Sequence, residues 1–183
     1  MTEPVWSQEI SVNSVDELQR FAAGLGAELA PGDLLILTGE LGAGKTTFTQ
    51  GLGRGLGVRE GIISPTFVLV RNHPSLTGGP GLVHVDAYRL ESDAEIDDLD
   101  LESTLEDSVT VVEWGAGRVE HLADSRLHVT LVRPAAGSPV AQGDAGVVVP
   151  GGNETTDDDD EPRQVRIDAY GPRWAGMQPR ALV

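Results

Sequence analysis

Gly39-Glu40-Leu41-Gly42-Ala43-Gly44-Lys45-Thr46 reads as a glycine, four residues and then Gly-Lys-Thr, the phosphate-loop pattern. The apolar run Leu34-Leu35-Ile36-Leu37 before it predicts a buried strand, and Thr47-Phe48-Thr49-Gln50 after it opens a helix. Strand, glycine-rich loop and helix in that order is the context in which the pattern makes a site. The glycines let the backbone curl so that several N–H groups point inward at phosphate oxygens. The helix adds its unpaired first donors and the positive end of its dipole. Lys45 is placed to reach terminal phosphates, and the Thr46 hydroxyl to ligate Mg2+.

Outward from this stretch, the pattern predicts an α/β chain. Ile10-Ser11-Val12 reads as a short first strand, and Ser14 with Glu17 has capping-box spacing ahead of a helix. Gly51, Gly53 and Gly55 weaken the helix after the loop by roughly 1 kcal/mol each, and close packing of that helix on a sheet would explain them. Ile62–Val70 reads as a turn and then a strand, and further strands are expected at Leu82–Asp86, Val109–Trp114 and Arg126–Val132, the last paired antiparallel with Val165–Tyr170. His73–Gly81 reads as a loop and Ser92–Leu105 as an acidic helix. The expected fold is a phosphate-loop, three-layer α/β domain spanning 1–183, with a mostly parallel central sheet and an antiparallel extension. Residues 134–162, rich in Ala, Gly, Pro and Asp, read as a disordered insertion.

Composition narrows the function classes. The chain has 183 residues, no cysteine and a formal net charge of -16. Disulfides and cysteine-based metal sites are thereby excluded. The acidity is concentrated in 91–107 and 154–161, stretches that contain no base, and the remainder is nearly neutral. Neither stretch favours direct binding of a phosphate backbone, which requires clustered Lys and Arg. If the protein serves a nucleic-acid pathway, another subunit is expected to hold the nucleic acid. With no membrane-length apolar run and no signal-peptide pattern after Met1, a cytoplasmic location is the expectation.

Candidate reactive groups stand at strand ends beside the loop. Asp86 and Glu113 each close an apolar strand, and Ser64-Pro65-Thr66 precedes another. Two carboxylates and a threonine suit a hard cation, a positioned water and an acceptor for its proton. The competing structural readings are a surface-turn acid for Asp86, a strand-end ion pair for Glu113 and an ordinary strand residue for Thr66. His84 reads as a strand side chain, and Trp114 as either core or partner-facing. There is no guanine-reading Asn-Lys-x-Asp, no Leu-Ser-Gly-Gly and no obvious arginine-bearing lid. A small-molecule kinase and a nucleotide-gated binding module with negligible hydrolysis stay open as alternatives.

The loop through Phe48, then Ser64-Pro65-Thr66-Phe67, His84-Val85-Asp86-Ala87-Tyr88-Arg89-Leu90 and Val112-Glu113-Trp114, together resemble the bacterial TsaE (YjeE) family over roughly residues 10 to 132. The resemblance implies a cytoplasmic, Mg2+-dependent ATPase of tRNA threonylcarbamoyladenosine synthesis, which modifies the adenosine beside the anticodon. It also implies two partners, TsaD, which transfers the threonylcarbamoyl group, and TsaB, with tRNA reached only through the complex. By position, Leu41, Gly42, Ala43, Gly44, Lys45 and Thr46 would cradle ATP phosphates. Thr46 and Glu113 would hold Mg2+, and Asp86 would contact the nucleotide and the attacking water. Thr66 would read the nucleotide state. The family's arginine near the start of its last strand matches Arg163, and Ser11 would lie beside the adenine.

Overall fold

The computed structural model describes residues 3–134 and 161–182. Apart from its ends, the acidic stretch at 134–162 lies outside them. Seven strands form one sheet: β1 (Trp6–Val12), β2 (Leu34–Thr38), β3 (Val70–His73), β4 (Gly81–Asp86), β5 (Ser108–Glu113), β6 (Arg126–Val132) and β7 (Arg163–Tyr170). Their spatial order is β1-β7-β6-β2-β5-β4-β3. The four central strands β6, β2, β5 and β4 are parallel; β7, β1 and β3 pair antiparallel at the two sides. This is the mostly parallel sheet with an antiparallel extension that the pattern predicts.

β2 shows why the fold has three layers. Its Leu34 and Ile36 face one core, and Leu35 and Leu37 face the other. A strand buried on both faces needs an unbroken apolar run, because successive side chains point to opposite sides. Helices α1 (Val15–Gly26) and α2 (Lys45–Leu56) supply the core on one face through Leu18, Leu25, Phe48 and Leu52. Short helices α3 (Asp93–Asp97) and α4 (Glu102–Leu105) supply Ile96 and Leu105 on the other. Among the described residues no helix is long and apolar enough to cross a membrane.

Several sequence expectations need correction. The first strand is longer than Ile10–Val12, and β3 and β4 shorten the expected His73–Gly81 loop from both ends. The strand expected to close the Ile62–Val70 stretch is displaced to Val70–His73. The N–H groups of Val68 and Leu69 both donate to Pro65 O, and Leu69 takes φ 68°, so 65–69 closes as a turn. The expected acidic helix breaks in two at Asp100, φ 49°. At α1, Ser14 Oγ accepts from Glu17 N–H as expected, but the Glu17 carboxylate accepts from Asn13 N–H.

The helix glycines answer to α1 more than to the sheet. A Cβ on Gly51 would stand 2.4 Å from Gln19 O, and one on Gly55 2.0 Å from Ala23 O. Only Gly53 turns toward the sheet side, against Ile62 and Leu82. The Gly171–Val183 tail, unassigned from sequence, is anchored as far as Leu182. Arg173 makes a forked ion pair with Asp33 at 2.9 and 3.0 Å. Trp174 is buried edge-on against Trp6, whose indole N–H donates to Trp174 O and Met177 O.

The outer face of the extension is polar. There His128 packs on the Tyr170 ring and accepts from Arg126 Nε at 3.1 Å. Burial, and secondarily Arg126, pushes its pKa below the ordinary 6.5 against the opposing pull of Glu120 and Asp168. The folded state thus disfavours the charged ring. This contribution to stability is complete above pH 6.5 and is lost as pH falls through the depressed folded value. The melting temperature of His128→Gln is expected to fall less steeply than that of the wild type on acidification below pH 6.5, as thermal scans across pH would show.

Candidate functional site

The loop leaving β2 begins as a turn closed by Ala43 N–H to Glu40 O at 3.0 Å. Gly44 takes φ 106°, a region costly for any residue with a Cβ, and a Cβ there would also crowd Leu18 and Arg163. α2 then starts at Lys45 with no side chain capping it. Its first N–H groups are therefore left pointing at the loop, where an anion can take them.

Lys45 folds back across this cradle. Its ammonium donates to Gly39 O at 2.8 Å and Glu40 O at 2.9 Å, and lies 4.2 Å from the Trp114 ring centroid. Burial lowers its pKa, while Glu113 and Asp86 act in the opposite direction. A cation–π contact is worth roughly 0.5–2 kcal/mol, rising as the ammonium is desolvated. It holds the side chain beside the loop with no ligand needed.

The carboxylates arrive by strand register. β4 and β5 are parallel, with Asp86 opposite Glu113, and Glu113 is opposite Leu37 of β2. Both acids are 3% exposed, which removes the surface-turn reading of Asp86, whereas Glu113 does meet His84 at its strand end. Glu113 Oε1 accepts from Thr46 Oγ1 at 3.2 Å and lies 2.7 Å from His84 Nε2. Asp86 Oδ2 accepts from Ser64 Oγ at 3.1 Å and Thr66 Oγ1 at 2.8 Å, and Oδ1 from Tyr88 N–H at 3.0 Å. Thr66 is thus a turn residue bonded to Asp86, not a strand residue.

These groups line one cavity of about 330 Å³, bounded by Leu41, Gly42, Gly44, Lys45, Thr46, Ser64, Thr66, Asp86, Glu113, Trp114 and Arg163 among others. Arg163 reaches it because β7 runs antiparallel to β6, so its first residue returns to the loop end of the sheet. Ser11 is not brought there: it lines a separate groove with Glu9, Thr130 and Arg166. Ala43 is buried behind the loop. Sequence reasoning undervalued His84 and Trp114. His84 stands two residues before Asp86, hence on the same strand face, and that spacing was the available signal. Trp114, at φ 61°, forms a cavity wall against Tyr88 instead of joining the core.

A hydroxyl with two carboxylates is an all-oxygen set that fits Mg2+, which keeps waters and phosphate oxygens in its shell. Among the described residues no group of three His, Cys, Asp or Glu could hold a metal alone.

Residues 12–138 match the family described as "Threonylcarbamoyl adenosine biosynthesis protein TsaE". A Streptomyces coelicolor protein named tRNA threonylcarbamoyladenosine biosynthesis protein TsaE is 51% identical over 148 residues, covering 80% of this chain and 86% of that protein. A Bacillus subtilis protein of the same name is 39% identical over 119 residues, covering 64% and 73%. A crystal structure of Bacillus subtilis YdiB superposes with a TM-score of 0.63 at 28% identity, covering 92% of this chain and 89% of that one. The four motifs, their convergence on one cavity and the extent of these matches lead to one statement: the chain belongs to the TsaE family.

Proposed function

We propose that this protein binds and hydrolyses ATP with Mg2+ in the phosphate-loop cavity, and thereby serves threonylcarbamoyladenosine modification of tRNA together with TsaD and TsaB. The observation that carries the proposal is the convergence of Lys45, Thr46, Asp86, Glu113 and Thr66 on one cavity at the start of an uncapped helix. In this reading the loop N–H groups and Lys45 hold the phosphates. Thr46 and Glu113 hold the metal, which would neutralise charge building on the phosphate oxygens. Asp86, already an acceptor for three donors, orients the attacking water, and Thr66 senses the terminal phosphate through its bond to Asp86. Arg163 lies against the phosphate side of the loop.

Partner dependence has its own support. Leu41 and Phe67 are 85% and 84% exposed, with Ile63, Val68 and Tyr88 also exposed near the cavity mouth. Arg89 stacks on Phe67 at 4.6 Å. An apolar rim of this kind is suited to protein contact. The acidic composition is suited to leaving tRNA to another subunit, in a cytoplasmic complex.

Calorimetry of ATP with Mg2+, followed by reconstitution with TsaD and TsaB and an assay of the modified nucleoside, tests the proposal. Binding without partner-dependent turnover points to the nucleotide-gated module, and phosphate found on an added metabolite points to the kinase. Glu113→Gln keeps the shape but removes the charge. It is expected to lower Mg2+-dependent turnover by more than about 10-fold, since loss of even an outer contact to a metal ligand costs about 10- to 100-fold, while the melting temperature stays within a few degrees. Unchanged turnover removes Glu113 from the site.

A further inference from the structure

His84 is fully buried, yet nothing in the reading above uses it. Along β4 the two-residue period places Leu82, His84 and Asp86 on one face, beside Val109, Val111 and Glu113 of β5. Leu82, Val109 and Val111 belong to the apolar core beneath α2. Across the sheet the imidazole stands between Val111 of β5 and Arg71 of β3, and its hydrogen-bond contact among the described residues is Nε2, 2.7 Å from Glu113 Oε1. Because a carboxylate oxygen accepts, Nε2 carries the hydrogen. Nδ1 has no hydrogen-bond partner among the described residues.

We propose that His84 is a positioning residue. By donating Nε2–H to Glu113 from inside the core, it fixes the carboxylate in line with the Thr46 hydroxyl for a divalent cation. This rests on the ATP–Mg2+ reading. The contrast between the two ring nitrogens is what separates this role from ordinary packing. A side chain kept only for the core would be better as leucine, since a buried polar atom without a partner is destabilising. Here one nitrogen is left without a partner while the other makes a short contact to the one acid that also accepts from Thr46. Without that donor, Glu113 Oε1 keeps only the 3.2 Å bond from Thr46, and its carboxylate is free to turn. Ligands of a metal are commonly oriented by such outer contacts, whose loss weakens metal binding or activity about 10- to 100-fold.

Two measurements test the inference. Long-range 15N–1H correlation on the nucleotide-free protein is expected to show His84 as the Nε2–H tautomer. An Nδ1–H tautomer overturns the proposal whatever the protein does with ATP. Calorimetry then follows ATP binding as Mg2+ is varied. His84→Leu is expected to raise the Mg2+ midpoint about tenfold, with metal-free ATP affinity within about twofold of wild type. His84→Gln, which returns a donor near the Nε2 position, is expected to restore the midpoint, and the shorter His84→Asn is not. A wild-type midpoint in His84→Leu overturns the proposal, as does equal behaviour of the Gln and Asn variants, which also decides the matter if His84→Leu does not fold. A wild-type protein that binds no ATP with Mg2+ while showing the expected tautomer overturns the ATP reading and, with it, the cation part of the inference. The His84–Glu113 contact itself then stands.

Discussion

Lys45→Ala is expected to lower ATP affinity in the presence of Mg2+ by at least about 100-fold, or roughly 3 kcal/mol, and to abolish nucleotide-dependent support of tRNA modification. The side chain is buried beside Asp86 and Glu113 and reaches across the loop to Gly39 O and Glu40 O. Removing it leaves Mg2+ as the one cation set between the two neighbouring carboxylates and an incoming polyphosphate in this reading. Losing one partner of a buried charge pair typically costs about 2–5 kcal/mol of binding. The folded state should suffer much less. Lys45 is itself disfavoured by burial, which lowers its pKa, and its two carbonyl partners can turn to water in the open cavity. A melting temperature within a few degrees of wild type, together with lost binding, is the expected pair of results. Full ATP affinity in a folded Lys45→Ala protein would falsify the assignment of the loop.

The second large effect concerns the fold. Gly55→Ala should lower stability by about 3 kcal/mol, although alanine is the better helix former by about 1 kcal/mol. A Cβ at Gly55 would lie 2.0 Å from Ala23 O, 2.8 Å from Ala23 C and 2.9 Å from Ala27 N, all backbone atoms. No rotamer change can relieve such contacts, so α1 and α2 must separate. That separation opens the packing of Leu18, Leu25, Phe48 and Leu52. For a protein of this size the melting temperature is expected to drop by roughly 6–12 °C. Arg54→Ala, on the exposed side of the same helix and in only a 3.9 Å contact with exposed Glu60, should change it by a degree or two. Equal melting temperatures for the two variants would mean that the helices are not in backbone contact at Gly55.

The phosphate loop, Asp86 and Glu113 were readable because each is announced by its immediate neighbours: an apolar strand, then a glycine turn or a terminal acid. The 65–69 turn was not, because Val68 and Val70 carry strong strand propensity. What overrides it is a pair of bonds to Pro65 O and a left-handed Leu69. The glycines of α2 signalled close packing, but only the tertiary structure shows that the packing partner of Gly51 and Gly55 is another helix. The Gly171–Val183 tail carried no pattern at all. Its anchor is an Asp33–Arg173 pair between residues 140 positions apart, and no periodicity encodes a contact of that kind.

From residues alone one learns that a glycine-rich loop leads from a buried strand into a helix, because left-handed glycines and a helix start are properties of a few consecutive residues. Which side chains share it is a matter of how strands are ordered. Placing β2, β5 and β4 side by side joins Thr46, Glu113 and Asp86. Reversing β7 against β6 brings in Arg163 and leaves Ser11 in a different groove. Burial of both sheet faces selects that order, and it acts on the whole chain at once.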